Sequence, residues 1–172
     1  MRWQAIRRLL SGSIVMATLA VSGVVMAQSG ANNLLTPAEL SKQFPATVYY
    51  DGQSAPAQLR NSGGVKFADG HFVLASLVDN SGYSSGVAVK YQGYLIAEVP
   101  IEFAGKRLAA GAYGFGFLNG KYVVTDLGGS NVLVVQTAND QEMRRPRPLQ
   151  VTADPAGGFR LYSGRNYVRF AR

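Results

Sequence analysis

The sequence predicts an all-β fold, an antiparallel β-sandwich with a small closed β-barrel as the alternative, preceded by one short N-terminal helix. Three observations carry this expectation. Short runs rich in Val, Tyr, Phe and Leu recur along the chain beyond Pro45. Asx-Gly pairs and many of the 20 glycines separate them. No apolar spacing of three and four residues, the mark of an amphipathic helix, persists past Pro45.

The chain has 172 residues, 47% apolar and 16% charged, with one His and no Cys. That length suits one domain. The balance is too apolar for disorder and too evenly mixed for a polytopic membrane protein. Without Cys there is no disulfide framework, no thiolate-held metal and no thiol nucleophile.

Residues 1 to 27 read as a cleaved signal peptide. Arg2, Arg7 and Arg8 precede an apolar stretch from Ile14 to Met26, which ends on Val25-Met26-Ala27. At about thirteen residues the stretch is shorter than the roughly twenty a membrane-spanning helix needs. The expected location is therefore periplasmic or extracellular, with no stable membrane span after cleavage. No lipid anchor is expected, because no Cys stands at the new N-terminus.

The leader also sorts the charge. The whole chain has 17 basic and 10 acidic residues; three of the basic ones leave with the leader, so 14 remain against 10, a balance of +4. From Gln28 to Asp140 seven basic residues face eight carboxylates. From Gln141 onward Arg144, Arg145, Arg147, Arg160, Arg165, Arg169 and Arg172 face only Glu142 and Asp154. The basic excess is thus confined to the end of the chain and consists of arginine alone.

Residues 28 to 46 form a lead with a short helix, and residues 47 to 172 a single β-domain. Gln28 to Asn33 reads as a flexible polar segment. Thr36-Pro37-Ala38-Glu39 combines an N-cap, a proline at the first helical position and a capping-box glutamate, which predicts a helix from Thr36 to Gln43 that Pro45 ends. The predicted strands are Thr47 to Tyr50, Gln58 to Asn61, Val65 to Phe67, His71 to Val78, Gly86 to Gln92, Gly93 to Phe103 and Ala112 to Leu118. They continue with Lys121 to Asp126, Asn131 to Thr137, Leu149 to Thr152, Phe159 to Tyr162 and Asn166 to Phe170. Asp69-Gly70 and Asn119-Gly120 read as type I′ hairpin turns, which need positive φ at both central residues, and Ser163-Gly164 is a further candidate. A mature chain of about 145 residues buries roughly two-thirds of its unfolded surface, enough to fold without disulfides.

Two hairpins hold the candidate functional residues. About Asn119-Gly120, Phe117 falls opposite Tyr122, Phe115 opposite Val124 and Tyr113 opposite Asp126. Tyr113, Phe115, Phe117 and Tyr122 then share one face with Val124, while Gly114 and Gly116 lie on the other. This aromatic slab reads as a core layer or, alternatively, as a platform for an apolar ligand in a small barrel. Asp126 is placed to accept a hydrogen bond from Tyr113. In the hairpin from Phe159 to Phe170, Phe159, Leu161, Val168 and Phe170 face one way. Arg160, Tyr162, Arg165, Tyr167 and Arg169 collect on the other side as a cation-aromatic surface suited to carboxylate, phosphate or sulfate. The segment containing Arg145 and Arg147 is stiffened by Pro146 and Pro148 and is expected beside that face. The alternative is a solvated outer face whose edge is protected by charge and proline.

The chemistry-bearing classes thin out quickly. His71 alone follows a turn and lacks a nucleophile elbow, so it reads as a surface turn residue. One His with scattered carboxylates cannot form the usual zinc set, and no phosphate-cradling glycine loop joins a strand to a helix. Glu98 and Glu102 are the one carboxylate pair to consider for a glycoside hydrolase, but a regular strand separates them by roughly 13 Å. Export and the modest mature charge disfavour nucleic acid. No cofactor is expected.

The stretch Glu98-Val-Pro-Ile-Glu-Phe-Ala-Gly-Lys-Arg-Leu-Ala-Ala-Gly-Ala-Tyr-Gly-Phe-Gly-Phe, with Asn119-Gly120 and Val123-Val124-Thr125-Asp126, resembles an element of uncharacterised exported bacterial β-domains. Asp51-Gly-Gln-Ser-Ala-Pro, Asn80-Ser-Gly-Tyr-Ser-Ser-Gly and Leu161-Tyr-Ser-Gly-Arg-Asn-Tyr resemble stretches of the same kind. The resemblance implies a β-sandwich-like fold outside the cytoplasm and carries no activity or site residues. The expectation is a non-enzymatic binding or envelope-associated module, docking an anionic envelope polymer or another exported protein through the Arg and Tyr face.

Overall fold

The computed structural model describes residues 31–172; the leader read at residues 1 to 27 lies outside the described residues. The chain enters as β1 (Asn33–Leu34) and α1 (Pro37–Gln43), then forms the hairpin β2 (Thr47–Tyr50) and β3 (Gln53–Lys66). Next come β4 (Phe72–Val78), α2 (Ser85–Lys90), β5 (Gly93–Ala97), β6 (Ile101–Phe103) and β7 (Lys106–Leu108). The hairpin β8 (Gly111–Leu118) and β9 (Lys121–Thr125) leads into β10 (Asn131–Gln136) and β11 (Ala138–Asn139). The chain closes with β12 (Arg147–Ala153), β13 (Phe159–Gly164) and β14 (Asn166–Ala171).

Every strand pair is antiparallel, and the strands form two sheets. The first has the order β1-β3-β4-β5-β8-β9-β10, with β2 also on β3; the second has the order β12-β13-β14-β6-β7, with β11 also on β14. This is an all-β sandwich. Among the described residues neither sheet closes on itself, so the barrel alternative is set aside.

The core lies between the sheets, where Phe115, Tyr122, Val124, Leu95 and Val65 of the first meet Phe103, Ile101, Leu149, Leu161 and Phe170 of the second. A second apolar cluster covers the outer face of the first sheet, with Leu40 and Phe44 of the α1 region, Val48 and Tyr50 of β2, and Tyr83 and Tyr91 packed on Leu74, Val78 and Tyr94. There Tyr50 and Tyr91 stack, ring centroids 3.9 Å apart. The two sides of the sandwich differ. Along one, Gly63 of β3 lets β12 approach so closely that a Cβ would lie 2.6 Å from the Val151 backbone nitrogen. Along the other, Lys106 of β7 reaches across and its Nζ donates to the Val134 carbonyl of β10 at 3.0 Å.

The helix α1 forms as its capping residues dictate. Thr36 Oγ1 accepts from the Glu39 backbone N–H, and Glu39 Oε2 accepts from the Thr36 backbone N–H at 2.9 Å. The hairpin about Asn119-Gly120 has the expected register, with Phe117 opposite Tyr122 and Phe115 opposite Val124, and both turn residues at positive φ. Asp51-Gly52 and Ala104-Gly105 share that turn geometry.

Several expectations are corrected. The run read as a strand from Gly86 to Gln92 is the helix α2, where a tertiary seat on the first sheet overrides the β propensity of Val87 and Val89. The carbonyls of Val89 and Lys90 sit directly on Gly116. The run from Gly93 to Phe103 is two strands in different sheets, because Pro100 cannot donate to a ladder and the chain turns the corner of the sandwich there. Gln58 to Asn61 and Val65 to Phe67 merge into the long β3, whose register shifts between Gln58 and Ser62. The end of the lead read as flexible is anchored instead: Asn33 and Leu34 pair with Lys66 and Val65, and Asn32 Oδ1 accepts from Ala68 N–H. At Asp69-Gly70 only the glycine has positive φ. The last turn is Gly164-Arg165, since Ser163 pairs with Asn166. Strands β7 and β11 are too short for their sequence pattern to reveal.

The glycine rows make a measurable series. Gly116→Ala puts a Cβ 2.6 Å from the Lys90 carbonyl and is expected to destabilise by about 1–3 kcal/mol. Gly86→Ala, in α2 with nothing within 4 Å, is expected to stabilise by roughly 0.5–1 kcal/mol. Urea denaturation midpoints in the reverse order would contradict the close seat of α2 on β8.

Candidate functional site

The C-terminal hairpin presents the face its alternation predicts. Arg160 lies opposite Arg169 and Tyr162 opposite Tyr167, while Phe159, Leu161, Val168 and Phe170 are buried in the inter-sheet core. The outward side chains lock onto one another. The Arg160 guanidinium stands over the Tyr167 ring, 4.6 Å from its centroid, and the Tyr162 and Tyr167 rings lie 5.0 Å apart. Arg160 Nη1 donates to the Tyr162 hydroxyl at 3.2 Å, and that hydroxyl donates to Asp140 Oδ2 at 2.9 Å. Tyr162 is buried, which raises its phenol pKa.

The organising group is Asp154. Its side chain is 1% exposed, and its Oδ2 receives Nε of Arg160 at 2.9 Å and Nε of Arg169 at 2.7 Å. The other oxygen, Oδ1, accepts the Ala156 N–H at 2.8 Å in the turn between β12 and β13. The hydrogen bond from Arg160 is the main reason the Asp154 carboxyl titrates below its ordinary value, and the same contact pushes the Arg160 guanidinium up. Sequence reasoning missed Asp154. Its local signal is the turn Asp154-Pro155-Ala156-Gly157-Gly158, which places an Asp beside the hairpin arginines once the register is known.

Two of the predicted anion-binding arginines are therefore engaged internally, Arg160 more deeply than the half-exposed Arg169. The others are not. Arg144, Arg145, Arg147 and Arg165 are exposed and form no ion pair among the described residues. The β12–β13 register sets Arg147 opposite Gly164, which brings the Arg-Pro segment alongside Arg165 at the hairpin tip. Pro148 lies on the outermost strand of its sheet, where a missing ladder donor costs little. The seventh arginine, Arg172, pairs with Asp69 of the β3–β4 turn and holds its carboxyl down to about 2.

The aromatic slab belongs to the core. Phe115 and Tyr122 are fully buried, Phe117 and Tyr113 pack against the same cluster, and the gap between the sheets beside Phe103 and Leu161 is too narrow for water. Among the described residues the Tyr122 hydroxyl has no hydrogen-bond partner, and burial pushes its pKa well above 10.0. The β8–β9 ladder ends at Gly114 opposite Thr125, one step short of Tyr113 and Asp126, and the expected hydrogen bond between them is not made: Tyr113 donates to the Ala109 carbonyl at 3.0 Å, and Asp126 accepts the N–H groups of Gly128 and Ser130 in its own turn. Glu98 and Glu102 fall on either side of the corner at Pro100. Glu98 Oε2 accepts the Phe72 N–H at 2.8 Å, and Glu102 lies opposite Arg107 on the outer strand pair. His71 sits in its turn with Nδ1 3.1 Å from Asp69 Oδ2.

Asp154→Asn tests the internal pairing. It keeps the shape, removes the charge and is expected to cost about 2 kcal/mol at neutral pH. Because the native carboxyl titrates below the ordinary 3.8, its contribution is fully present above that value and is lost as pH falls through the lower native one. Thermal unfolding from pH 6 downward should show the wild type losing its advantage over Asp154→Asn in that acid range. A constant difference would contradict the pairing.

No family model matches the chain, and neither a curated protein sequence nor a solved structure matches it.

Proposed function

We propose that this chain is a non-enzymatic, exported β-domain that docks on an anionic envelope polymer or surface. The contact is the strip formed by Arg144, Arg145, Arg147 and Arg165. The observation that carries this reading is the pairing of Arg147 with Gly164, which brings the Arg-Pro segment beside the hairpin tip that bears Arg165, while Asp154 occupies Arg160 and Arg169. The division of labour has a physical basis. Arginines held on a buried carboxylate stiffen the hairpin, and arginines with no internal partner keep their forks available for phosphate, sulfate or carboxylate. Export rests on the leader pattern of residues 1 to 27, and the resemblance to exported bacterial β-domains points the same way.

Binding to phosphatidylglycerol vesicles and to a sulfated polysaccharide, each at two ionic strengths, tests the reading. Each basic residue near an anionic surface contributes about 1 kcal/mol, so the triple variant Arg145→Ala, Arg147→Ala, Arg165→Ala should weaken binding about a hundredfold and flatten its salt dependence. Unchanged binding by a folded triple variant overturns the proposal, as does an unmodified protein that binds neither probe.

A further inference from the structure

Among the described residues strand β10 is an edge of the first sheet, paired with β9 on one side only. Its open side is identifiable from two hydrogen bonds. Thr137 N–H donates to the Gly120 carbonyl, toward β9, whereas the Val134 carbonyl accepts from Lys106 Nζ, away from it. Backbone groups alternate along an antiparallel strand, so the N–H and C=O of Val134 and of Gln136 face outward. A bulge at Val132, between the paired Asn131 and Leu133, leaves that side chain 47% exposed.

Alongside this edge runs an open cleft of about 550 Å³, lined by Ala104, Lys106, Lys121, Val134, Val135 and Gln136. A second cleft of about 440 Å³ meets it at Ala104 and Gln136 and continues past Ala138 toward Tyr167. Neither Lys106 nor Lys121 forms an ion pair among the described residues. The cleft therefore joins an unpaired ladder edge, small apolar side chains and two unneutralised ammonium groups.

We propose that this cleft binds an extended acidic peptide segment of a partner protein by strand addition to β10. The incoming strand's N–H takes the Val134 carbonyl now held by Lys106, and the released ammonium pairs with a carboxylate on that strand. The backbone acceptor and the lysine charge are thus both satisfied after the exchange. Ladder bonds supply the affinity, and the alternating side chains supply the choice of partner. In the unoccupied state Lys106 does what charged residues at sheet edges generally do, covering an acceptor that would otherwise invite pairing with another chain. The site shares no residue with the Arg144 to Arg165 strip and stands or falls separately from it.

The probe is a fluorescein-labelled octapeptide of alternating Glu and Val, followed by anisotropy against the full protein. Saturable binding is expected, at least tenfold weaker for Lys106→Gln with Lys121→Gln, and absent for Val134→Pro, which removes an outward donor without touching the β9 ladder. The Arg145, Arg147 and Arg165 variant should bind it as the wild type does. Absence of binding to the wild type, equal binding by a folded Val134→Pro, or equal binding of a Lys-Val peptide overturns the proposal. Should Val134→Pro not fold, the Glu-Val peptide N-methylated at alternate residues decides: undiminished binding overturns strand addition. Sedimentation showing a dimer that Lys106→Gln with Lys121→Gln strengthens would assign the edge to a second copy and overturn the partner.

Discussion

Between the two sheets, Tyr122 of the first, with Phe115 beside it in the same sheet, touches Phe103 of the second, and Phe103 in turn touches Phe170. Ring centroids run from 4.9 Å for Phe103 and Tyr122 to 5.6 Å for Phe115 and Tyr122. The chain extends through Phe170 to Phe159 and Phe67, so one aromatic seam crosses from sheet to sheet and back. Each ring buries on the order of 150–200 Å², about 4–5 kcal/mol at 25 cal/mol per Å². The unpaired Tyr122 hydroxyl returns roughly 1–3 kcal/mol of this. Burial wins at that position, and two sheets without disulfides stay face to face. The corners at Pro100 and at Thr137, where the chain passes from one sheet to the other, carry it around this seam.

Much of that architecture is visible in the sequence where the physics is local. Thr36 and Glu39 specify the helix start because a capping box is completed within four residues. Asn119-Gly120 specifies its hairpin because such pairs accept positive φ twice in succession at little cost. The alternation from Phe159 to Phe170 correctly separates core from surface because a sheet has period two. The failures are non-local. Val87 and Val89 look like strand residues, yet α2 forms because Gly116, far along the chain, offers a flat backbone seat. Gly93 to Phe103 looks continuous, and only the choice between two sheets reveals the break. Two-residue strands such as β11 carry no pattern at all and exist only through the strand that pairs with them, β14.

The arginine cluster shows the same division at the level of a site. Its location and its cation-aromatic face are legible from spacing alone. Its internal electrostatics are not, because Asp154 reaches Arg160 and Arg169 only through the register of β12, β13 and β14. Seven arginines of equal standing in the sequence become three kinds in the fold. Two share a buried carboxylate, one pairs with the β3–β4 turn, and four face solvent with no ion pair among the described residues. The positive charge left without an internal ion pair is accordingly smaller and more concentrated than composition suggests.

Strand β14 is the last element of the chain and a middle strand of the second sheet, flanked by β13 on one side and by β11 and β6 on the other. Strands β6, β7 and β11 are made early and wait for residues 166–171 before they have a sheet to join. A polypeptide that stops short of Asn166 can complete the first sheet yet leaves Phe103, Phe159 and Leu161 without cover, the kind of exposed apolar surface that chaperones and proteases act on. The second sheet is therefore a long-range construction: β6 and β7, paired with each other, gain a larger sheet only through residues 166–171.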